Sequence, residues 1–184
     1  LGYAMLPSRV PLRFYMPMTL KEKIQQDLNE AVKAKKELEV LTFRLFSAAI
    51  LNKEKEKRYK ISKEKPDFKE ENLAQESQLT DEEVLEVLTS EVKKMKEAIE
   101  GFEKGGRKDL VIKEKKELEI LGKYLPEQLS EEEIQKLVRE VISKTGAKEM
   151  KDMGRVMSEL APKTKGKADG GFVSKIVKDF LVQN

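Results

Sequence analysis

The densest chemistry in the sequence lies in ten residues, Pro162-Lys163-Thr164-Lys165-Gly166-Lys167-Ala168-Asp169-Gly170-Gly171. Three lysines alternate there, just ahead of an expected helix start. A helix N-terminus offers free backbone N–H donors and partial positive charge. The ammonium groups of Lys163, Lys165 and Lys167 beside such donors describe a phosphate-binding lip. Gly166 and Gly170-Gly171 would keep side chains clear of an approaching backbone. The same residues describe equally well a polar turn whose glycines serve tight geometry, and their spacing does not separate the two. Phe172 is the one aromatic nearby and reads as core. The segment therefore offers no base stacking, and suits backbone or shape recognition better than base readout.

Few other residues offer chemistry. The chain contains no His and no Cys. This excludes Ser-His-Asp and Cys-His machinery, CxxC redox pairs, histidine phosphorelays and Cys/His zinc sites. Glu131-Glu132-Glu133 resembles an acid/base cluster, but three acids in a helix's first turn are explained by capping and the helix dipole. There is no DxDxDG calcium loop and no GxSxG elbow, and Gly105-Gly106-Arg107 and Gly166-Lys167 do not complete a Walker loop. No catalytic residue, metal ligand or cofactor is expected.

The elements that would position the lysines read as helices throughout. Thr19 with Glu22, Thr80 with Glu83, and Ser130 with Glu133 form capping boxes, the side-chain pairs that satisfy free donors at a helix start. Leu20, Ile24, Leu28 and Ala31 or Val32 recur at helical spacing. After a break near 34–40, Leu38, Leu41, Leu45, Ala48, Ala49 and Asn52 continue as a second amphipathic run. Residues 60–78 are polar, contain Pro66 and read as a loop or flexible insertion. Val84, Leu88, Val92, Met95 and Ile99 mark a long helix ended by Gly105-Gly106, and Leu110, Val111, Leu118 and Leu121 mark another that Pro126 stops. Beyond it, three short helices are expected. They carry Ile134, Val138 and Val141, then Val156 and Leu160 ending before Pro162, then Val173, Ile176 and Val177 behind an Asp169 cap.

The expected fold is all-α: long N-terminal helices (a helical hairpin) joined to a small C-terminal three-helix bundle. The domains are a leader over 1–18, an N-terminal helical domain over 19–125 with its insertion at about 60–79, and the bundle over 126–184. Apolar and charged residues each make up 39% of the chain. Average proteins have about 25% charged residues, so a thin core with one-striped helices fits better than a doubly buried sheet. The leader carries Arg9 and Arg13, no acid and three prolines. It reads as a disordered extension, a docked arm or a targeting segment. No window reaches the roughly 18 apolar residues of a membrane span, and a cytoplasmic protein is expected. Charge is uneven: net +6 over 1–60, −7 over 61–143 and +4 over 144–184. A basic C-terminal unit beside an acidic middle suggests a polyanionic partner on one face.

Several stretches then resemble the GatB/YqeY family. They are Thr42-Phe43-Arg44-Leu45-Phe46-Ser47-Ala48-Ala49-Ile50-Leu51-Asn52, Tyr124-Leu125-Pro126-Glu127-Gln128-Leu129-Ser130-Glu131-Glu132-Glu133-Ile134, Met153-Gly154-Arg155-Val156-Met157, and Lys165-Gly166-Lys167-Ala168-Asp169-Gly170-Gly171. The resemblance runs over about 19–182, and the three C-terminal motifs are specific in order and spacing. It implies an all-helical, two-part protein whose C-terminal bundle is related to the tail of the tRNA-dependent amidotransferase B subunit. That tail holds tRNA, and the same domain is appended to some glutaminyl-tRNA synthetases. The family label, carbon-nitrogen ligase with glutamine as amido-N-donor, is then a statement of kinship, since this chain has neither an amidase Ser-Ser-Lys segment nor a kinase-like body. Carried over by motif, tRNA contacts fall on Lys163, Lys165, Lys167 and Arg155. Gly154, Gly166, Ala168, Asp169 and Gly170 serve packing and turns.

The expectation is therefore a non-catalytic tRNA-binding accessory module with low-affinity, salt-sensitive binding. The alternative is a helical protein-interaction module that docks an amidotransferase or synthetase without binding RNA itself.

Overall fold

The computed structural model describes residues 18–182 and contains eight α-helices, one short 3-10 turn and, among the described residues, no strand. The helices are α1 (Leu20–Lys33), α2 (Glu37–Glu64), α3 (Glu70–Glu76), α4 (Asp81–Lys104), α5 (Lys108–Gly122), α6 (Glu131–Thr145), α7 (Met153–Thr164) and α8 (Gly170–Val182). The fold is all-α. The reading of the leader falls on residues outside the described ones, apart from the exposed Met18.

Two hydrophobic clusters organise the chain. The first joins Ile24 and Leu28 of α1, Phe43, Phe46 and Ile50 of α2, Val84, Leu88 and Val92 of α4, and Leu121 of α5. The second joins Ile134 and Val138 of α6, Val156 and Leu160 of α7, and Val173 and Val177 of α8. Among the described residues, no helix of one group packs along a helix of the other. The two groups meet through the linker at 123–130 and the turn at 165–169.

The capping boxes close as the sequence suggests. Thr19, Thr80 and Ser130 each accept the N–H of the residue three positions on, and Glu22, Glu83 and Glu133 reach back to the cap N–H. Those backbone hydrogen bonds hold the carboxyls of Glu22 and Glu133 below the usual range; on Glu83 the hydrogen bond from Lys57 does most of this and the Thr80 N–H adds to it. Gly146 takes the left-handed conformation (φ 64°) that ends α6.

Four expectations need correction. Phe172, expected in the core, is 38% exposed near the start of α8. Residues 60–78 are largely helical: α2 continues to Glu64, and α3 packs on it through the buried Leu73. Ion pairs Arg58–Glu70 and Lys65–Glu76 (2.9 Å) pin the two helices together. Lys and Glu are good helix formers, so polarity alone did not mark a loop there. The expected apolar run of α2 is not its buried face. Thr42, Phe43, Phe46 and Ile50 face the core, while Leu41, Leu45 and Ala48 are exposed. Finally, α7 does not stop before Pro162 but includes it and ends at Thr164. The Thr164 hydroxyl donates to the Leu160 carbonyl (3.0 Å), and the Lys165 N–H donates to Ala161 (3.0 Å), so the turn survives the missing proline donor.

Candidate nucleic-acid interface

The segment 162–171 folds as the last turn of α7, a tight turn, and the start of α8. Gly166 sits at φ +71° and is pressed against α4, where a Cβ at this position would lie 2.7 Å from Leu85 Cδ2. A side chain is excluded there by both conformation and contact. The linker holds the same turn from the other side. Gln128 Nε2 donates to the carbonyls of Gly166 (2.8 Å) and Pro126 (2.9 Å), and the Leu129 N–H donates to the Lys167 carbonyl (2.8 Å).

The turn sends its three lysines to different places. Lys165 reaches across to α4 and pairs with Glu86 (2.7 Å) and Glu82 (3.8 Å). The Glu86 carboxylate, hydrogen-bonded to it, holds the Lys165 ammonium above the usual lysine range. Lys163, on the last turn of α7, and Lys167, in the turn itself, are exposed and form no ion pair among the described residues. Arg155 lies near the start of α7 and pairs with Asp152 (3.3 Å), with its side chain open to solvent. The lysine trio is therefore a pair of free ammonium groups plus a third committed to the neighbouring helix.

The helix start beside them is partly satisfied. Asp169 Oδ1 accepts the Phe172 N–H (2.8 Å), so a carboxylate occupies one donor that a phosphate would use. Its other oxygen is 3.8 Å from Lys93 Nζ on α4. Gly154 and Gly170 are exposed at the starts of α7 and α8, while Ala168 and Met157, both partly buried, pack against the second cluster, which includes the buried Val156. A cleft of about 360 Å³ opens between α4 and the turn, lined by Val92, Lys93, Lys96, Gln128, Ala168 and Asp169 among others. Among the described residues, no group of three acidic side chains is placed to hold a metal ion.

Reading the sequence missed two parts of this site. One is the acidic pair Glu82 and Glu86, whose partner is 79 positions away at its nearest. The other is the wider set of unpaired cations on the C-terminal helices and the loop after α6. Lys136, Lys148, Lys175 and Lys178 are exposed and, like Lys163 and Lys167, make no ion pair among the described residues. Charge counting flagged the region; only packing shows which charges remain unspent.

Two helical groups joined by a lysine-bearing turn define an all-α protein with a basic C-terminal unit. Residues 64–181 match the family model of the Yqey-like proteins, and the chain belongs to that family. It is 29% identical over 163 residues to a protein of Pyrenophora tritici-repentis named altered inheritance of mitochondria protein 41, mitochondrial, covering 86% of this chain and 79% of that one. It is 47% identical over 51 residues to an uncharacterized protein of Schizosaccharomyces pombe, covering 28% of this chain and 42% of that one. The first name places that relative in the mitochondrion, whereas the sequence reading expected the cytoplasm for this chain. No helix among the described residues is long and apolar enough to cross a membrane.

Proposed function

We propose that this chain is a non-catalytic tRNA-binding accessory module, acting beside a tRNA-dependent amidotransferase or a glutaminyl-tRNA synthetase. One observation carries the reading: the C-terminal helices and their turn present six exposed lysines without ion-pair partners among the described residues. On α2 the cations Lys53, Lys57 and Arg58 pair with Glu56, Glu83 and Glu70, while Arg44, Lys55, Lys60 and Lys63 make no ion pair among the described residues. Unpaired ammonium groups on a small rigid unit supply phosphate contacts through counterion release. That affinity is weak per contact and falls with salt. Weak binding suffices for a module whose work is to raise the local concentration of tRNA at an enzyme. Lys163 and Lys167 are the contacts at the turn, and Lys165 joins them only by leaving Glu86.

The mitochondrial name of the Pyrenophora relative supports a mitochondrial place of work over the cytoplasmic one, which imaging of the tagged chain decides.

The test is equilibrium binding of labelled tRNA at several salt concentrations. K163A/K167A is expected to weaken binding and to lower the slope of log K against log salt by roughly one per lost contact. K165A is expected to leave that slope unchanged. Salt-insensitive binding, or equal binding by wild type and K163A/K167A, refutes the assignment.

A further inference from the structure

Helix α4 meets the C-terminal turn through one face, and that face answers the turn charge for charge. Glu82, Leu85, Glu86 and Lys93 recur at spacings of three, four and seven, which places them on one side of the helix. Gly166 is pressed on Leu85. On either side of that contact, Lys165 pairs with Glu86 (2.7 Å) and Glu82 (3.8 Å), and Asp169 lies 3.8 Å from Lys93. Lys163 and Lys167, two positions to each side of Lys165, make no ion pair among the described residues. Two carboxylates therefore stand where the phosphates of a polyanion would meet Lys165. The contact is a weak one. Lys165 keeps 38% of its side chain exposed, Glu86 53% and Glu82 84%, and exposed pairs of this kind add little to stability. Among the described residues no helix of one group packs along a helix of the other, so few other contacts resist its release.

We infer that Glu82 and Glu86 form an autoinhibitory contact, which withholds Lys165 from the polyanion site of the turn and is released when the joint between the two helical groups opens. The inference rests on the reading of that turn as a tRNA contact. The closed joint weakens binding in two ways: it occupies the middle one of three alternating ammonium groups, and it brings two carboxylates to the turn. Opening supplies a third phosphate contact and withdraws those carboxylates. The two events are linked, since whatever factor opening adds to RNA affinity, bound RNA adds to opening. With the contact intact the joint is chiefly closed. K165A alone then removes a lysine that is already withheld, and the salt slope stays as it was.

The test is a tRNA-binding cycle over wild type, E82A/E86A, K165A and E82A/E86A/K165A at several salt concentrations. Both glutamates are exposed and alanine favours helix, so α4 keeps its helicity by circular dichroism. E82A/E86A is expected to bind roughly fivefold tighter or more at low salt, and to steepen log K against log salt by about one contact. E82A/E86A/K165A is expected to lose the added slope. Unchanged affinity in E82A/E86A overturns the inference. So does a steepening that survives in the triple variant, because it then owes nothing to Lys165. Opening is read without RNA. The chain contains no cysteine, so S90C on α4 and S158C on α7, both at exposed positions, carry a pair of spin labels. Pulsed electron spin resonance is expected to show in E82A/E86A a second distance population that is absent with both glutamates in place, and identical distributions overturn the inference. Failure of the underlying reading looks different: neither wild type nor E82A/E86A then binds tRNA, and both conclusions fall together.

Discussion

Replacing Gly166 with alanine should loosen the joint between the two helical groups while leaving both cores intact. Gly166 sits at φ +71°, a region that costs an L-residue roughly 1–2 kcal/mol. The added Cβ would also fall 2.7 Å from Leu85 Cδ2 and 2.9 Å from Leu85 Cγ, so Leu85 or the turn must move. Overpacking of this kind typically costs about 1–3 kcal/mol. Together the two terms come to about 2–5 kcal/mol, placed on a joint held by few bonds: Lys165 to Glu86 and Glu82, Lys93 to Asp169, Gln128 to the Gly166 carbonyl, and the Leu129 N–H to Lys167. Neither hydrophobic cluster includes Gly166, so the cost is met by withdrawing the turn rather than by unfolding. Hydrogen exchange reads this directly. The amides of Leu129, Lys167 and Ala168 are expected to lose protection in G166A, while those of Val92 and Val177 keep it. Two further variants separate the causes. G166N relieves most of the conformational cost but keeps the clash, and L85A/G166A does the reverse. Unchanged protection at Leu129 in G166A would refute the reasoning, because the turn would then not be pressed on α4.

Two more outcomes follow from the N-terminal group. Glu117 is 3% exposed, its Oε1 has no hydrogen-bond partner, and its nearest cation, Lys113, is 3.6 Å away. E117Q or E117M should therefore raise stability by about 1–3 kcal/mol in urea denaturation at neutral pH. Burial raises the Glu117 carboxyl above its usual range. Its protonated form thus favours the folded state, and wild type loses stability as pH rises through the folded value. The advantage of E117Q should accordingly shrink on acidification toward the ordinary carboxyl range, and a constant advantage across that range refutes the burial argument. The Tyr124 hydroxyl donates to Asp27, and its ring meets Phe43 edge-on at 5.9 Å. Y124F should cost about 1.5 kcal/mol through the lost charge-assisted bond and keep the ring contact; a urea midpoint equal to wild type contradicts that.

Much of the framework was legible because several signals coincided. Ser130 with Glu133, the Ile134, Val138 and Val141 stripe, and Gly146 all specify one helix, and α6 runs from cap to cap as they require. Helix α2 was harder because Leu41 and Leu45 compete with Phe43 and Phe46 for the core. Periodicity reports that a stripe exists, but which of two stripes turns inward depends on the shape of α1, α4 and α5. The 60–78 segment failed for a related reason. Leu73, still 9% exposed, is its one buried apolar side chain, so α3 is held largely by ion pairs to α2 that carry no local pattern. At the candidate site, the residue types were legible and their partners were not. Asp169 announced itself as a cap by preceding the glycines, whereas nothing near Lys165 in sequence points to Glu86.

Lys165 shows why that difference matters to function. A lysine can neutralise one nearby anion at a time at full strength, and Glu86 at 2.7 Å already does so within the fold. A phosphate that recruits Lys165 must therefore displace Glu86, and in doing so it breaks one of the few bonds that hold the C-terminal helices to α4. Lys163 and Lys167 face no such exchange, since neither has an ion-pair partner among the described residues. Salt acts on both sides of the balance, screening the ammonium–phosphate contact and the Lys165–Glu86 pair together. Three adjacent lysines thus divide into two that can meet a polyanion with the joint closed and one whose release opens it.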